Sequence, residues 1–180
     1  MNKLLIMCEG PNEKTVIDML LANGCLIFSE EDLLGLTPFH ARQIKNSGQV
    51  KAELNMYPGK VDVLRIGDKQ SDKLDMPKDY RGKIVSVTKY CTMPELEMLL
   101  IIAEGRFKDY EKVKSTMSPK EFAKANIKLG KRKYNNSSKF YVDYFSTNIQ
   151  LLVQSIKEYQ RIKGKTHEKD EHCLCELLKG

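Results

Sequence analysis

No apolar run in these 180 residues approaches the roughly 20 that a membrane-spanning helix needs. The longest early candidate, Leu4 to Cys8, also lacks the length and small-residue cleavage pattern of a secretory leader. A chain without membrane contact, in the cytoplasm, is the expectation. A disulfide framework is missing as well. The five cysteines, at 8, 25, 91, 173 and 175, are odd in number and scattered, which fits reduced thiols. His172-Cys173-x-Cys175, with His167 upstream, looks like half of a zinc site, but no second spaced ligand pair completes it. Internal repeats and low-complexity linkers are absent too, so a repeat array is not expected.

What is present describes a globular protein, with 41% hydrophobic and 30% charged residues. The length suits one domain plus an appendage. A formal charge of +6 and a pI near 9.0 are compatible with a polyanionic partner.

The stretch Lys3 to Gly24 organises the rest. Leu4, Leu5, Ile6, Met7 and Cys8 form an uninterrupted apolar run, as expected of a parallel strand covered on both faces. Gly10 and Pro11 turn the chain, Asn12 is a candidate cap, and Val16, Ile17, Leu20 and Leu21 recur at helical spacing until Asn23-Gly24. Glu9 then stands at the carboxyl end of a central strand, where open α/β sheets bind ligands, and no capping role accounts for it. Glu13 follows in the first helical turn, a position that the helix dipole alone also favours.

Cys25 to Phe28 reads as a second short strand, Ser29 to Asp32 as a helix start, and Thr37 to Ile44 as a mixed segment that offers His40 and Arg42 to a substrate. Val61 to Ile66 is a clear strand, ending in Gly67-Asp68 with Asp72 close behind. Lys83 to Lys89 alternates as a strand. The following Pro94 to Gly105 is an apolar helix in which Thr92-x-x-Glu95 has capping-box spacing. Glu97, among Leu, Met and Ile, has no such explanation and calls for a partner or a metal.

From Arg106 onward the composition changes. Ser118-Pro119 opens a helix, and Lys124, Lys128, Lys131, Arg132 and Lys133 precede Tyr134, Phe140, Tyr141, Tyr144 and Phe145. Cations beside aromatics suit phosphate contact and base stacking; a solvated face followed by core aromatics is the competing reading. An amphipathic helix over Asn148 to Lys163 and a short helix around Cys173 to Leu178 complete a two-part expectation. Residues 1–110 form an α/β domain and residues 111–180 a helical C-terminal extension packed on it.

Three strand-to-turn junctions thus carry acids: Glu9 with Glu13, Asp68 with Asp72, and Glu95 with Glu97. This order resembles the Toprim fold, a mostly parallel sheet with helices on both faces. The stretch Cys8-Glu9-Gly10-Pro11-Asn12-Glu13 is similar to the EGxxE opening of Toprim nucleases of the RloB-like and overcoming-lysogenization-defect families, and Pro94-x-x-Glu97 to their later acidic helix start. The families' Asp-x-Asp pair is altered, because this chain reads Asp68-x-x-x-Asp72 with Gln70 where the second aspartate would fall.

The resemblance implies a nuclease of a defence system or mobile element, with DNA or RNA as substrate and a partner ATPase or another defence protein as companion. Oxygen ligands without His or Cys select a hard cation, Mg²⁺ or Mn²⁺. By the resemblance, Glu9 and Asp68 would be catalytic, and Glu9, Glu13, Glu95, Glu97, Asp68 and Asp72 would supply metal ligands. Lys124, Lys128, Lys131, Arg132 and Lys133 would contact nucleic acid. The alternatives are a module of the same fold that binds without cutting, favoured by Gln70, and a response-regulator receiver, disfavoured because Gly10 replaces the second acid of its usual doublet.

Overall fold

The computed structural model describes residues 2–68, 73–92, 95–163 and 172–180. Its strands are β1 (Lys3–Cys8), β2 (Phe39–His40), β3 (Val61–Gly67), β4 (Ile84–Cys91), β5 (Lys128–Leu129), β6 (Arg132–Lys133) and β7 (His172–Cys173). Its α-helices are α1 (Pro11–Ala22), α2 (Gly48–Met56), α3 (Glu97–Ala103), α4 (Phe107–Glu111), α5 (Pro119–Asn126), α6 (Ser138–Phe145) and α7 (Ile149–Lys163). Five strands make one sheet in the order β2-β1-β3-β4-β7, and every neighbouring pair is parallel.

The apolar run of β1 has its explanation in two cores. Ile6 and Cys8 face one side with Leu64 and Ile66 of β3, under α1, α3 and the later helices. Leu5 and Met7 face the other with Val61 and Val63, where Val50 and Leu54 of α2 cover them. A strand sandwiched this way has no polar face, so the alternation that marks a half-exposed strand disappears. β4 behaves differently. Val85 and Val87 are 60% and 43% exposed, because β7 pairs only with Tyr90 and Cys91 and α2 packs over β1 and β3.

Several local expectations are corrected. Cys25 to Phe28 is not a strand; Leu26 makes a single antiparallel bridge to Leu178, and the Ile27 N–H donates to the Leu177 carbonyl. Ser29 caps a 3-10 turn rather than an α-helix, closed by reciprocal bonds with Asp32, and Gly35 at φ 72° keeps the next turn from continuing. The mixed segment contains β2, which pairs with the end of β1. Helix α1 is capped by Gly10, with Pro11 at its first position, and Asn12 instead accepts a hydrogen bond from Ser138 Oγ at 2.9 Å.

The stretch after residue 110 is more than a helical appendage. Phe122, Phe140, Tyr141, Phe145, Leu152 and Ile156 share the core of Leu20, Ile66 and Leu100. The expected last helix is β7, which extends the sheet, followed by a 3-10 turn over Leu174–Leu177. The basic segment folds as the end of α5 and the β5–β6 hairpin, turning at Gly130 with φ 60°. Phe140, Tyr141 and Phe145 are fully buried and Tyr134 nearly so, which removes them as base-stacking surfaces and assigns them to the core.

Candidate metal centre at the sheet's carboxyl edge

The chain passes from β1 outward to β2, then crosses back to β3 on the other side of β1. That reversal opens a crevice at the carboxyl ends of β1 and β3, the place where doubly wound sheets seat their ligands. Glu9 leaves β1 and Asp68 leaves β3 at this point.

Glu9 does not stand free in the crevice. Its side chain is 9% exposed, lies against the Lys89 ammonium and stands 3.5 Å from Arg65 Nη2, two cations that are themselves buried on adjacent strands. Its Oε2 accepts the Asp68 backbone N–H at 3.2 Å. Glu9 therefore has a structural partner set that the sequence reading lacked. Gly67 makes this possible: a Cβ there would fall on the Glu9 carboxyl group. Gly10 does the same for Glu13, whose carboxylate folds back over the place a Cβ would take. At both strand ends a glycine gives room to an acid.

Glu13, Asp68, Glu95 and Glu97 line one cleft of about 250 Å³ together with Lys120 and Asn136. Thr92 Oγ1 donates to Asp68 Oδ1 at 3.2 Å, and Glu95 Oε2 accepts the Lys120 backbone N–H at 2.9 Å. The expected Thr92–Glu95 capping box is thus not formed; α3 begins at Glu97 after Leu96, Glu95 lines the cleft, and Thr92 touches it through its bond to Asp68. Burial raises the Glu13 carboxyl above its ordinary range, and the charges of Asp68, Glu9 and Glu97 raise it further, against a lowering bond from its own backbone N–H. Glu95 is raised likewise, by burial first and then by Glu97 and Asp68. These acids feel one another across the cleft.

Glu97 is 5% exposed and has the partner its surroundings demanded. Tyr134 Oη donates to its Oε1 at 2.8 Å and lies 3.1 Å from Tyr141 Oη. The Asn136 amide, turned with its nitrogen to Glu97 and its oxygen to Lys120 Nζ, reaches them at 3.3 and 3.0 Å. Asn136 itself adopts φ 59°, a left-handed conformation that a non-glycine residue takes at some cost and Asn more readily than most. Asn136, Lys120, Lys89 and Arg65 were not selected from sequence, and Tyr134 was read there as a stacking aromatic rather than as the partner of Glu97. Arg65 carried a signal, since it is a cation in β3 whose neighbours two residues away, Val63 and Gly67, are buried; Lys89, with exposed Val87 two residues before it, carried none.

His40 and Arg42 line a neighbouring cleft with Glu9 and the start of α2. Arg42 Nε donates to the Glu9 carbonyl at 3.2 Å, and the Arg42 carbonyl accepts from Arg65 Nη2 at 3.3 Å. In the basic segment Lys124, Lys128, Lys131 and Lys133 are exposed, whereas Arg132 is engaged by Asp143 at 2.6 Å and lies over the Phe140 ring. Asp72, Gln70 and Pro94 lie outside the described residues.

A cation in the acidic cleft would meet carboxylate and amide oxygens, the donor chemistry of Mg²⁺ and Mn²⁺. Among the described residues no three His, Cys, Asp or Glu side chains already form a group able to hold a metal ion, so binding would draw the carboxylates together. Among the described residues no helix is long and apolar enough to cross a membrane. No protein-family model, curated protein or solved structure matches the chain.

Proposed function

We propose that the chain is a divalent-metal-dependent nucleic-acid phosphodiesterase of the Toprim type. One observation carries this reading: Glu13, Asp68, Glu95 and Glu97 come from three separate chain segments into one cleft at the sheet's reversal point. Asp68, Glu97, Glu13 and Glu95 would hold Mg²⁺ or Mn²⁺, with Asp72 as a further candidate. When bound, such ions lower the pKa of water and offset charge on a phosphate.

The chain's own residues have definable tasks. Glu9, neutralised by Lys89 and Arg65, is a positioning residue that fixes Asp68 through its backbone N–H. Tyr134 and Asn136 orient Glu97, and Lys120 brings a positive charge to a cleft otherwise rich in carboxylates. Arg42 and His40, one cleft away, suit the flanking phosphates of a strand crossing the sheet's edge. A defence-system setting and a partner ATPase are supported only by the resemblance of the Cys8 to Glu13 stretch.

A specific observation favours a second reading, a module that binds nucleic acid or a protein without cutting. Glu9 is taken up by buried cations, and the remaining acids are not preassembled among the described residues. Cleavage assays on single- and double-stranded DNA and RNA, with Mg²⁺ and with Mn²⁺, separate the two. The nuclease reading predicts metal-dependent cutting that Asp68→Asn abolishes while circular dichroism stays unchanged. Retained nucleic-acid binding without cutting in the unmutated protein would establish the binding module instead.

A further inference from the structure

Three of the five cysteines, Cys91, Cys173 and Cys175, line a single cavity where β4, β7 and α7 meet, apart from the acidic cleft. Cys91 and Cys173 are direct register partners in parallel strands, so both side chains leave the sheet on the same face. Cys173 Sγ donates to Gln160 Oε1 of α7 at 2.6 Å, and Cys175, two residues on, lines the same cavity. Cys91 and Cys173 are buried, while Cys175 is partly exposed. The cavity, about 30 Å³, exceeds the roughly 10–15 Å³ that a single water requires. That volume has room for a molecule the size of hydrogen peroxide. Cys8, by contrast, is sealed in the core under α1, and burial pushes its thiol far above the ordinary range.

We infer that Cys175 and Cys173 form a thiol oxidation site that hydrogen peroxide closes into an intramolecular disulfide. The Cys175 thiolate gives its electron pair to one peroxide oxygen, the O–O bond breaks and hydroxide leaves, so the sulfur becomes a sulfenic acid. The Cys173 thiolate then attacks that sulfur, the S–S bond forms, and the sulfenic oxygen departs as hydroxide. With the two thiol protons the balance is two thiols and one peroxide to one disulfide and two waters. Two electrons pass from sulfur to oxygen. Closure removes the S–H that ties β7 to Gln160 on α7.

Geometry assigns the roles: Cys175 has the access, and Cys173 lies two residues away on the same cavity. Burial raises the Cys175 thiol, so the thiolate is scarce near neutrality and the reaction accelerates about tenfold per pH unit until that pKa is reached.

The full-length reduced protein, treated with hydrogen peroxide, alkylated and mapped by mass spectrometry without reduction, tests this. The peptide carrying both residues should lose two hydrogens and resist alkylation, and dithiothreitol should restore both thiols. In Cys175→Ser, which changes a partly exposed atom, Cys173 should stay alkylatable, its oxidation at least about tenfold slower. Three results overturn the assignment: both thiols alkylated as before treatment, a Cys91–Cys173 bridge in place of the expected one, or Cys175 driven to sulfinic acid with Cys173 untouched. Circular dichroism of Cys175→Ser confirms that the comparison is made on folded protein.

Discussion

At the scale of single residues, the site depends on what sits beneath it. Glu9 is held by Lys89 and Arg65 in a place that exists only because Gly67 has no side chain. Removing its charge strands two buried cations, so Glu9→Gln is expected to cost about 3 kcal/mol of stability, within the range for breaking a buried pair. Gly67→Ala should cost at least about 1–3 kcal/mol, because the new methyl group meets the carboxyl group of Glu9. Urea unfolding of both variants checks this; two values within about 0.5 kcal/mol of the unmutated protein would show that the cluster is not structural.

Glu13 and Glu95 give a pH signature at the same scale. Their carboxyls are raised from an ordinary 4.5, chiefly by burial, so the folded protein holds those protons more tightly than the unfolded chain does. Stability from these groups is therefore greatest at and below the ordinary value and is lost as pH rises through the raised values. In chelator, the unmutated protein should gain stability relative to Glu13→Gln as pH is lowered from neutral toward 4.5. Parallel pH profiles for the two proteins would remove Glu13 from the set of strained acids.

At the scale of elements, the basic segment is a helix end and a hairpin rather than one long basic face. Lys124, Lys128, Lys131 and Lys133 are exposed, but Arg132 already has Asp143. If nucleic acid lies along this hairpin, affinity should fall steeply with salt. Neutralising the four lysines should flatten the slope of log K against log salt by about three to four units, and Arg132→Gln should change it less. Filter binding at several salt concentrations measures this; an unchanged slope makes the hairpin a solvated surface.

Elements also show what the sequence could and could not disclose. β1, β3 and α1 were legible because a two-faced apolar run and a 3.6-residue period leave few alternatives. Thr92 and Glu95 misled because capping-box spacing is a local pattern, and tertiary partners, Asp68 and the Lys120 amide, outcompeted it. Cys25 to Phe28 misled for a related reason. Leu26 and Phe28 are required by the core, while the remote Leu177 and Lys179 supply the segment's backbone partners. The role of Tyr134 and Asn136 at Glu97 was invisible, since only the fold brings the hairpin's far end over that carboxylate.

On the scale of the molecule, the strand order places the ends of β1 and β3 at the reversal point, and Glu95 to Glu97, Lys120 and Asn136 line the cleft there. The later part of the chain is therefore built into the site as well as the core. The central claim is that the acids gathered there form a divalent-cation site. Calorimetric titration of Mn²⁺ into the metal-free protein, beside Asp68→Asn and Glu97→Gln, tests it most directly. The account predicts saturable binding to the unmutated protein, weakened at least about tenfold in each variant while both remain folded by circular dichroism. Absence of saturable binding, or equal affinity in all three proteins, would contradict it.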